Sequence, residues 1–481
     1  RAGSFAVNQT LVLRINICAS KSPPSPRRRT FALIIKNHQM KNIVEKQRAF
    51  FNSNQTKEIE WRIQQLKKFR TVLKENEPLL YQAIYADFQK SVFDTFANEL
   101  SLIYSEIDET VQELKKWVKK KKVNTNVINF PSKSYIMPEP LGVTLVIGAW
   151  NYPFQLSLAP VIASISAGNT IILKPSEISS SCSKIMAQLI NENFDPTFFK
   201  VIEGGIPETT ELLTHRFDKI FFTGSVAVGK IISQAAAKYL TPVTLELGGK
   251  SPAIITEDCN LKTIVKRLIW AKFLNAGQTC VAPDYVLVHQ SIEQRFLEMA
   301  KMEIEKEKFS IQNDNYVQII NTKNIHRLVN LLDKEKIYYG GKYDEQSRIF
   351  EPTLMHHVTF DDKVMQEEIF GPILPVIAYQ SLDFAIAKIK EGENPLACYI
   401  FTSDQSIKNK ILNEISFGGG AVNEAIMHMT NSKLPFGGVG ESGMGSYHGE
   451  NGFRTFSHYK SILEKPTWFE LNLKYFPHTK A

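Results

Sequence analysis

Gly142-Val-Thr-Leu-Val-Ile147 is an uncharged run dominated by residues branched at Cβ. Such a run suits a strand buried on both faces, where no polar alternation is needed. Four runs of the same style follow: Thr170-Ile-Ile-Leu173, Phe199-Lys-Val-Ile202, Lys219-Ile-Phe-Phe222 and Val243-Thr-Leu-Glu-Leu247. Helix-like segments lie between them, near 155–166, 179–193, 207–213 and 226–239. This alternation predicts βαβ units and a doubly wound parallel sheet of the α/β class. Ligands in such sheets sit outside the carboxyl ends of the strands. Asn151, Lys174, Gly224 and Glu246 occupy those ends or the loops after them, so all four should open onto one face.

Working outward, Ile59, Ile63, Leu66, Phe69 and Leu73 recur at helical spacing. Further helical patterns follow Pro78 and run from Leu100 to Trp117. Residues 123–139 read as short extended segments with turns. A second α/β region spans Ser251 to about Gly420, with strands near 252–256, 284–289, 353–355, 372–378 and 398–402. The tail from Ala421 is glycine-rich to Gly452 and then shows no further helical run.

A chain of 481 residues admits two to three domains. The net charge of +8 is modest for this length, so no nucleic-acid partner is expected. The run Lys115 to Lys122 is open to a polyanion-binding reading, but the solvated end of a helix explains it better. Cysteines 18, 182, 259, 280 and 398 are odd in number and scattered, without paired or metal-type spacing. That fits a reducing compartment and predicts neither disulfides nor a bound metal. No apolar run reaches the length of a transmembrane anchor. Residues 1–39 contain no Asp or Glu and four arginines besides the first residue. Two readings of them stay open: an acid-poor organelle transit peptide, or non-native leader ahead of Met40. They are kept out of the fold; the expected location is cytoplasmic, or an organelle if the transit reading holds.

Chemistry concentrates in a few connections. Asn275-Ala-Gly-Gln-Thr-Cys280 joins a helical pattern to a strand, with small neighbours beside the sulfur. A lone cysteine is ordinarily a small buried hydrophobe. A thiolate whose pKa is lowered by N–H groups or positive charge is instead a nucleophile for carbonyl carbon. Glu246 ends an apolar strand before Gly248 and Gly249; burial would raise its pKa towards neutrality and suit a general base, with a structural ion pair as the alternative. Asn151 follows another strand end and either stabilises an oxyanion or caps a turn.

Phe222-Thr-Gly-Ser225-Val-Ala-Val-Gly229-Lys-Ile231 follows a strand and opens a helix, where N–H groups and the Ser225 hydroxyl can hold a phosphate. Ile231 stands where a P-loop needs Ser or Thr, which disfavours a kinase or ATPase. Gly438-Val-Gly-Glu-Ser-Gly443 fits a dinucleotide fingerprint but lacks the strand and helix around it, so the match is accidental. Lys174 and Glu177 leave a strand through a proline turn and suit ribose hydroxyls, or are merely a solvated turn. Residue chemistry alone reaches nucleotide-dependent covalent catalysis on a carbonyl.

Eight segments carry a resemblance: Pro140-Leu-Gly-Val143, Trp150-Asn-Tyr-Pro-Phe154, Ile172-Leu-Lys-Pro-Ser-Glu177, Phe222-Thr-Gly-Ser225, Leu245-Glu-Leu-Gly-Gly-Lys250, Gly277-Gln-Thr-Cys280, Glu367-Glu-Ile-Phe-Gly-Pro372 and Leu434-Pro-Phe-Gly-Gly438. In this order the chain resembles the aldehyde dehydrogenase superfamily. Cys280-Val-Ala-Pro-Asp-Tyr285 and Gly440-Glu-Ser-Gly-Met-Gly-Ser-Tyr-His448 resemble its class 3 branch, which acts on fatty and aromatic aldehydes. The resemblance implies NAD-dependent oxidation, with NADP also admitted, of medium or long-chain or aromatic aldehydes through a cysteine thioester. It implies Cys280 as nucleophile, Glu246 as base for water and Asn151 as oxyanion donor. Lys174 and Glu177 would meet the adenosine ribose, Gly224, Ser225 and Gly229 the pyrophosphate, and Glu368 and Phe370 the nicotinamide riboside. Trp150, Tyr152 and Phe436 would line an aldehyde tunnel. The implied organisation is a dinucleotide-binding domain (40–122 and 140–246), a catalytic domain (247–420) and a small β-rich bridging or oligomerisation segment (123–139 and 421–481), in a homodimer. An acyl-CoA or acyl-thioester reductase on the same scaffold is the alternative; a water-activating base at Glu246 speaks against it.

Overall fold

The structure is a computed structural model describing residues 40–471 and 474–476; the leader readings of 1–39 lie outside the described residues. The five buried runs form one sheet, with strands at Val143–Ile147, Thr170–Lys174, Phe199–Val201, Lys219–Thr223 and Val243–Glu246. All neighbours among them are parallel. Across the sheet they run 243–246, 219–223, 143–147, 170–174, 199–201. The chain therefore starts at the centre, winds to one edge, returns and winds to the other. Its direction reverses between 143–147 and 219–223, and a crevice opens there at the carboxyl ends. The helix Gln155–Ala167 is buried along its whole length. It is wedged between the sheet and the helices Ile59–Glu75 and Ser101–Trp117, as a helix apolar all round requires.

A second sheet of seven strands runs Ile337–Tyr339, Thr353–Met355, Ile373–Tyr379, Tyr285–His289, Pro252–Ile255, Ala397–Phe401 and Gly419–Val422. Only the first pair is antiparallel. Cys280 and Glu368 precede the strands 285–289 and 373–379, so this sheet offers its amino ends to the carboxyl ends of the first. The carboxyl-end rule thus holds for one wall of the crevice and is inverted for the other.

A third, antiparallel sheet joins Lys121–Val123, Lys133–Pro140 and Ser457–Glu464. Its last strand lies in the tail after Gly452 and pairs along its length with Lys133–Pro140. That strand is partly exposed along its length, so no hydrophobic periodicity marks it. Residues 421–481 also serve more than one unit. Gly419–Val422 edges the second sheet, and Gly443–Met444 pairs antiparallel with Val243–Glu246. The helix Gly449–Thr455 packs on Gln155–Ala167 and Ser101–Trp117. The lysine run splits as well: the helix ends at Trp117 and Lys121 begins a strand. Lys115 and Lys116 pair with Glu60 and Glu113 at 2.5 and 3.1 Å.

Candidate active site

The turn before Cys280 is strained. Asn275, Ala276 and Gly277 take φ of 54°, 52° and 72°, and left-handed backbone at non-glycine residues persists only where the surroundings impose it. Gln278 imposes it. Its Nε2 donates to Asn275 O and Gln318 O at 3.1 and 3.0 Å, and its Oε1 accepts from Ile320 N at 3.0 Å. A Cβ on Gly277 would stand 2.3 Å from Gly371 O, so this position takes nothing larger.

Bonds from the first sheet fix the same turn. Asn151 Nδ2 donates to Gln278 O at 3.1 Å, Asn275 Nδ2 donates to Asn151 O at 3.0 Å, and the Tyr152 hydroxyl meets Thr279 Oγ1 at 2.8 Å. Asn151 is thus more than a turn cap, and one of its two amide hydrogens remains beyond the bond to Gln278. Burial pushes the Cys280 thiol up to about 12, helped by the fields of Glu368 and Glu246. Backbone N–H groups of Cys280 and Val281 pull the other way and are outweighed. The expected lowering is therefore corrected: the charges reaching the sulfur are carboxyls.

Glu246 is 3% exposed, and neither carboxyl oxygen has a hydrogen-bond partner. Burial alone drives its pKa well above the usual carboxylate value. An ion pair is excluded, leaving a carboxyl that holds its proton more tightly than usual in the neighbourhood of Cys280. Buried polar groups without partners are rare in folded proteins and mark functional positions.

Glu368 leans over the glycines after that strand; a Cβ on Gly248 would lie 2.0 Å from Glu368 Oε2. Its pKa is raised to about 8 by burial and by Asp284. The turn carrying it is pinned from outside. Arg327 donates to Glu368 O and Ile369 O at 3.2 and 2.6 Å, and Ile369 N donates to Asp284 Oδ1 at 2.9 Å. Lys250 bridges Asp284 Oδ2 and Glu367 O at 2.5 and 2.8 Å. Phe370 follows with φ of 45° and meets the Trp150 ring at 5.3 Å.

Ser225 is the exposed N-cap of helix Val226–Ala237, and its hydroxyl makes no capping bond. The first-turn N–H groups of a helix lack intrahelical partners, so hydroxyl and amides together suit a phosphate. Gly224 N donates to Glu246 O at 3.0 Å, tying this turn to the base. Gly229 N–H donates to Ser225 O at 2.9 Å, and a Cβ there would lie 2.8 Å from Leu247 Cδ2. It serves close packing of the helix on the sheet, and its amide is not left for a phosphate. Lys174 is 1% exposed and donates to Pro175 O at 2.7 Å, with Glu177 Oε2 at 3.5 Å. Burial lowers its pKa. An ammonium and a carboxylate at one strand end, with the open N-cap two strands away, fit a dinucleotide laid along the crevice.

The aromatic set divides. Trp150 packs against Phe88 and Phe370, whereas Phe436 packs against Tyr447 and His448 at 5.8 and 5.3 Å. Trp150 thus also touches Phe370, the residue read as meeting the nicotinamide riboside. Lys90 and Glu99 went unread in the sequence. They form a buried ion pair at 3.0 Å; Glu99 Oε2 accepts from Phe154 N at 2.8 Å, and Lys90 lies 4.4 Å over the Tyr152 ring. No local pattern announces partners that meet only through tertiary contact. No cluster of three metal-binding side chains occurs among the described residues.

A family model described as "Aldehyde dehydrogenase family" matches residues 32–462, beginning inside the 1–39 stretch. The chain belongs to the aldehyde dehydrogenase family. This aldehyde dehydrogenase is 48% identical over 437 residues to a 4,4'-diaponeurosporen-aldehyde dehydrogenase of Staphylococcus aureus, covering 89% of this chain and 95% of that one. It is 45% identical over 425 residues to aldehyde dehydrogenase family 3 member A2 of Pongo abelii, covering 88% and 87%. The dimeric NADP-preferring aldehyde dehydrogenase of Rattus norvegicus is 44% identical over 424 residues, covering 88% and 94%. Among solved structures, the substrate-bound state of Staphylococcus aureus AldH superposes with a TM-score of 0.89 at 47% identity, covering 91% of this chain and 96% of that one. The class 3 resemblance stands on these relatives. The enzyme is an oxidoreductase that oxidises aldehydes with NAD(P) as acceptor.

Proposed function

We propose that Cys280, Glu246 and Asn151 carry the reaction. Cys280 Sγ adds to the aldehyde carbon, and its proton passes to solvent. The alkoxide is held by the remaining Asn151 amide hydrogen and the Cys280 N–H. NAD(P), which Lys174, Glu177, Gly224, Ser225, Glu368 and Phe370 would hold, would supply the acceptor for the hydride that the Cys280 adduct must lose to become a thioester. Glu246 then takes a proton from water, whose oxygen attacks the thioester and frees the acid and the thiol. The carrying observation is the Glu246 carboxyl, buried and unbonded beside the sulfur. It also favours hydrolysis over reductive use of the thioester.

Cys280→Ala should abolish NADH formation from a fatty aldehyde. Glu246→Gln should slow steady-state acid release by roughly a hundredfold or more, the scale of a lost general base, while a first-turnover NADH burst persists. Loss of burst and steady state in equal measure would remove Glu246 from the second step. Lys174, Glu177, Gly224 and Ser225 support binding of the adenosine and phosphate parts, and Glu368 with Phe370 the nicotinamide riboside. The Glu177 carboxylate repels a 2′-phosphate, which favours NAD while the Lys174 ammonium beside it still admits NADP. The substrates we assign are medium or long-chain or aromatic aldehydes, lodged by Tyr152, Phe436 and Tyr447. We assign a homodimer, by analogy with the relative named dimeric. No helix among the described residues is long and apolar enough to cross a membrane. Unpaired Cys182, Cys259, Cys280 and Cys398 support a reducing compartment such as the cytoplasm.

A further inference from the structure

Tyr447 is joined through Gln155 to a second cavity. Tyr447 is buried, feels the charges of Cys280, Glu246 and Glu106, and shares a hydrogen bond with Gln155. Gln155 lines a cavity of about 90 Å³ together with Leu102, Glu106, Met429, Thr430 and His448. His448 stacks on Phe436 with ring planes 21° apart. Packed side chains thus connect Tyr447 and Phe436, through Gln155 and His448, to this cavity, which exposed Thr430 also lines. Two carboxyls line it, Glu106 and Glu109, beside the hydroxyls of Ser105, Thr430 and Ser432; Glu106 Oε1 accepts from Gly449 N at 2.9 Å.

The other charges at this mouth are matched. Glu109, one turn further along the same helix, is paired with Lys433 from the facing loop. Glu113 is paired with Lys116 at 3.1 Å, and Glu450 with Arg454 at 2.6 Å. His448 and His428 are pushed down to about 4 by burial, so both are neutral above pH 5. Tyr447 is held uncharged by its burial. Glu106 is left without an ion pair of its own among the described residues, held only by the Gly449 N–H and the more distant Lys433 charge. We propose that Glu106 is a specificity residue at the mouth of the aldehyde channel, admitting uncharged chains and rejecting aldehydes whose far end carries a carboxylate. This rests on the assignment of Cys280 as the nucleophile at the channel's inner end. Burial and the neighbouring Glu109 raise the Glu106 carboxyl to about 7, against the pull of Gly449 N–H and Lys433. The rejection therefore strengthens as pH rises through neutrality.

The test compares kcat/KM for 9-oxononanoate and its methyl ester with the purified full chain and NAD, from pH 5.5 to 8.5. The acid is ionised throughout, since carboxyls of this kind titrate near 4–5. Titration of Cys280 and Glu246 affects both substrates alike and cancels in the ratio. In the wild type the preference for the ester should grow by roughly tenfold across this range, a size within reach of two like charges a few ångströms apart near a protein surface. In Glu106→Gln, which still accepts from Gly449 N–H but cannot ionise, the growth should vanish. Lys433→Met, which leaves Glu109 unmatched, should deepen the preference. A ratio flat with pH in the wild type, or unaltered growth in Glu106→Gln, overturns the proposal while leaving the catalytic assignment intact. Oxidation of the ester by Cys280→Ala would instead defeat the assignment beneath it.

Discussion

A carboxyl buried with neither oxygen bonded takes up a proton when the chain folds, and Glu246 is such a group. Between its ordinary unfolded pKa near 4.3 and its raised folded value, the native state binds more protons than the unfolded one. Stability contributed by this residue therefore falls as pH rises. Glu246→Gln should remove that slope, so its melting temperature should gain on the wild type steadily from pH 5 to pH 8. A constant difference across that range would mean Glu246 is ionised in the native protein. The raised Cys280 thiol makes a companion prediction. In dinucleotide-free enzyme, alkylation of Cys280 by iodoacetamide should be slow at pH 7 and rise about tenfold per pH unit to pH 9, following the thiolate fraction. Saturation below pH 8 would show a cation acting on the sulfur. At this scale the sequence was informative about identity and silent about state. Cys280, Glu246 and Asn151 were legible because each sits at a strand end or connection among small residues. The direction of the thiol shift was not, because it depends on tertiary burial first and then on Glu368, brought in from nearly ninety residues away.

Between residue and fold, the Lys90–Glu99 pair decides how the Asn151 segment is held. Glu99 lies in a five-residue π-helical turn, Phe96–Leu100, which swings its carboxylate onto the first amides of the helix Gln155–Ala167. Lys90 answers the charge and covers Tyr152, whose hydroxyl reaches Thr279 beside Cys280. Lys90→Met should destabilise the protein by about 3–5 kcal/mol, because it leaves a buried carboxylate unanswered. The pair Lys90→Met with Glu99→Gln should recover part of that in chemical denaturation. Equal stability of the single and double variants would deny the coupling. Gly277→Ala belongs here too. Its Cβ would collide with Gly371 O at a left-handed φ, so activity should fall at least tenfold, in keeping with the cost of misplacing a reacting group. Strands and helices of the first sheet were read within a residue or two, since buried runs and turn residues are local signals. The π-helical turn and the strand Ser457–Glu464 were not, because neither has an apolar rhythm of its own.

At the scale of the molecule, two largely parallel sheets face each other, carboxyl ends towards amino ends, with the nucleophile on one and the base on the other. The alternation of strands and helices made both sheets legible; their mutual orientation is fixed by contacts spread along the chain, such as Asn151 to Gln278. The third sheet stands apart and carries apolar residues towards water: Val127, Ile128 and Phe130 are 90%, 75% and 67% exposed. Patches of this kind mark association surfaces. Replacing Ile128 and Phe130 by Asp should convert the proposed dimer to a monomer of 54.6 kDa in sedimentation. An unchanged mass would move the subunit contact elsewhere. That sheet also has a consequence in time. The Lys133–Pro140 strand is joined on one side by a segment that the ribosome delivers more than three hundred residues later. At about 5–20 residues per second, the nascent chain holds an open ladder for roughly a quarter of a minute to a minute. Pro138 and Pro140 punctuate that ladder and Lys133 starts it. Prolines and lysines on an unpaired edge discourage adhesion to neighbouring chains, so this strand is fitted for the wait as well as for its final partner.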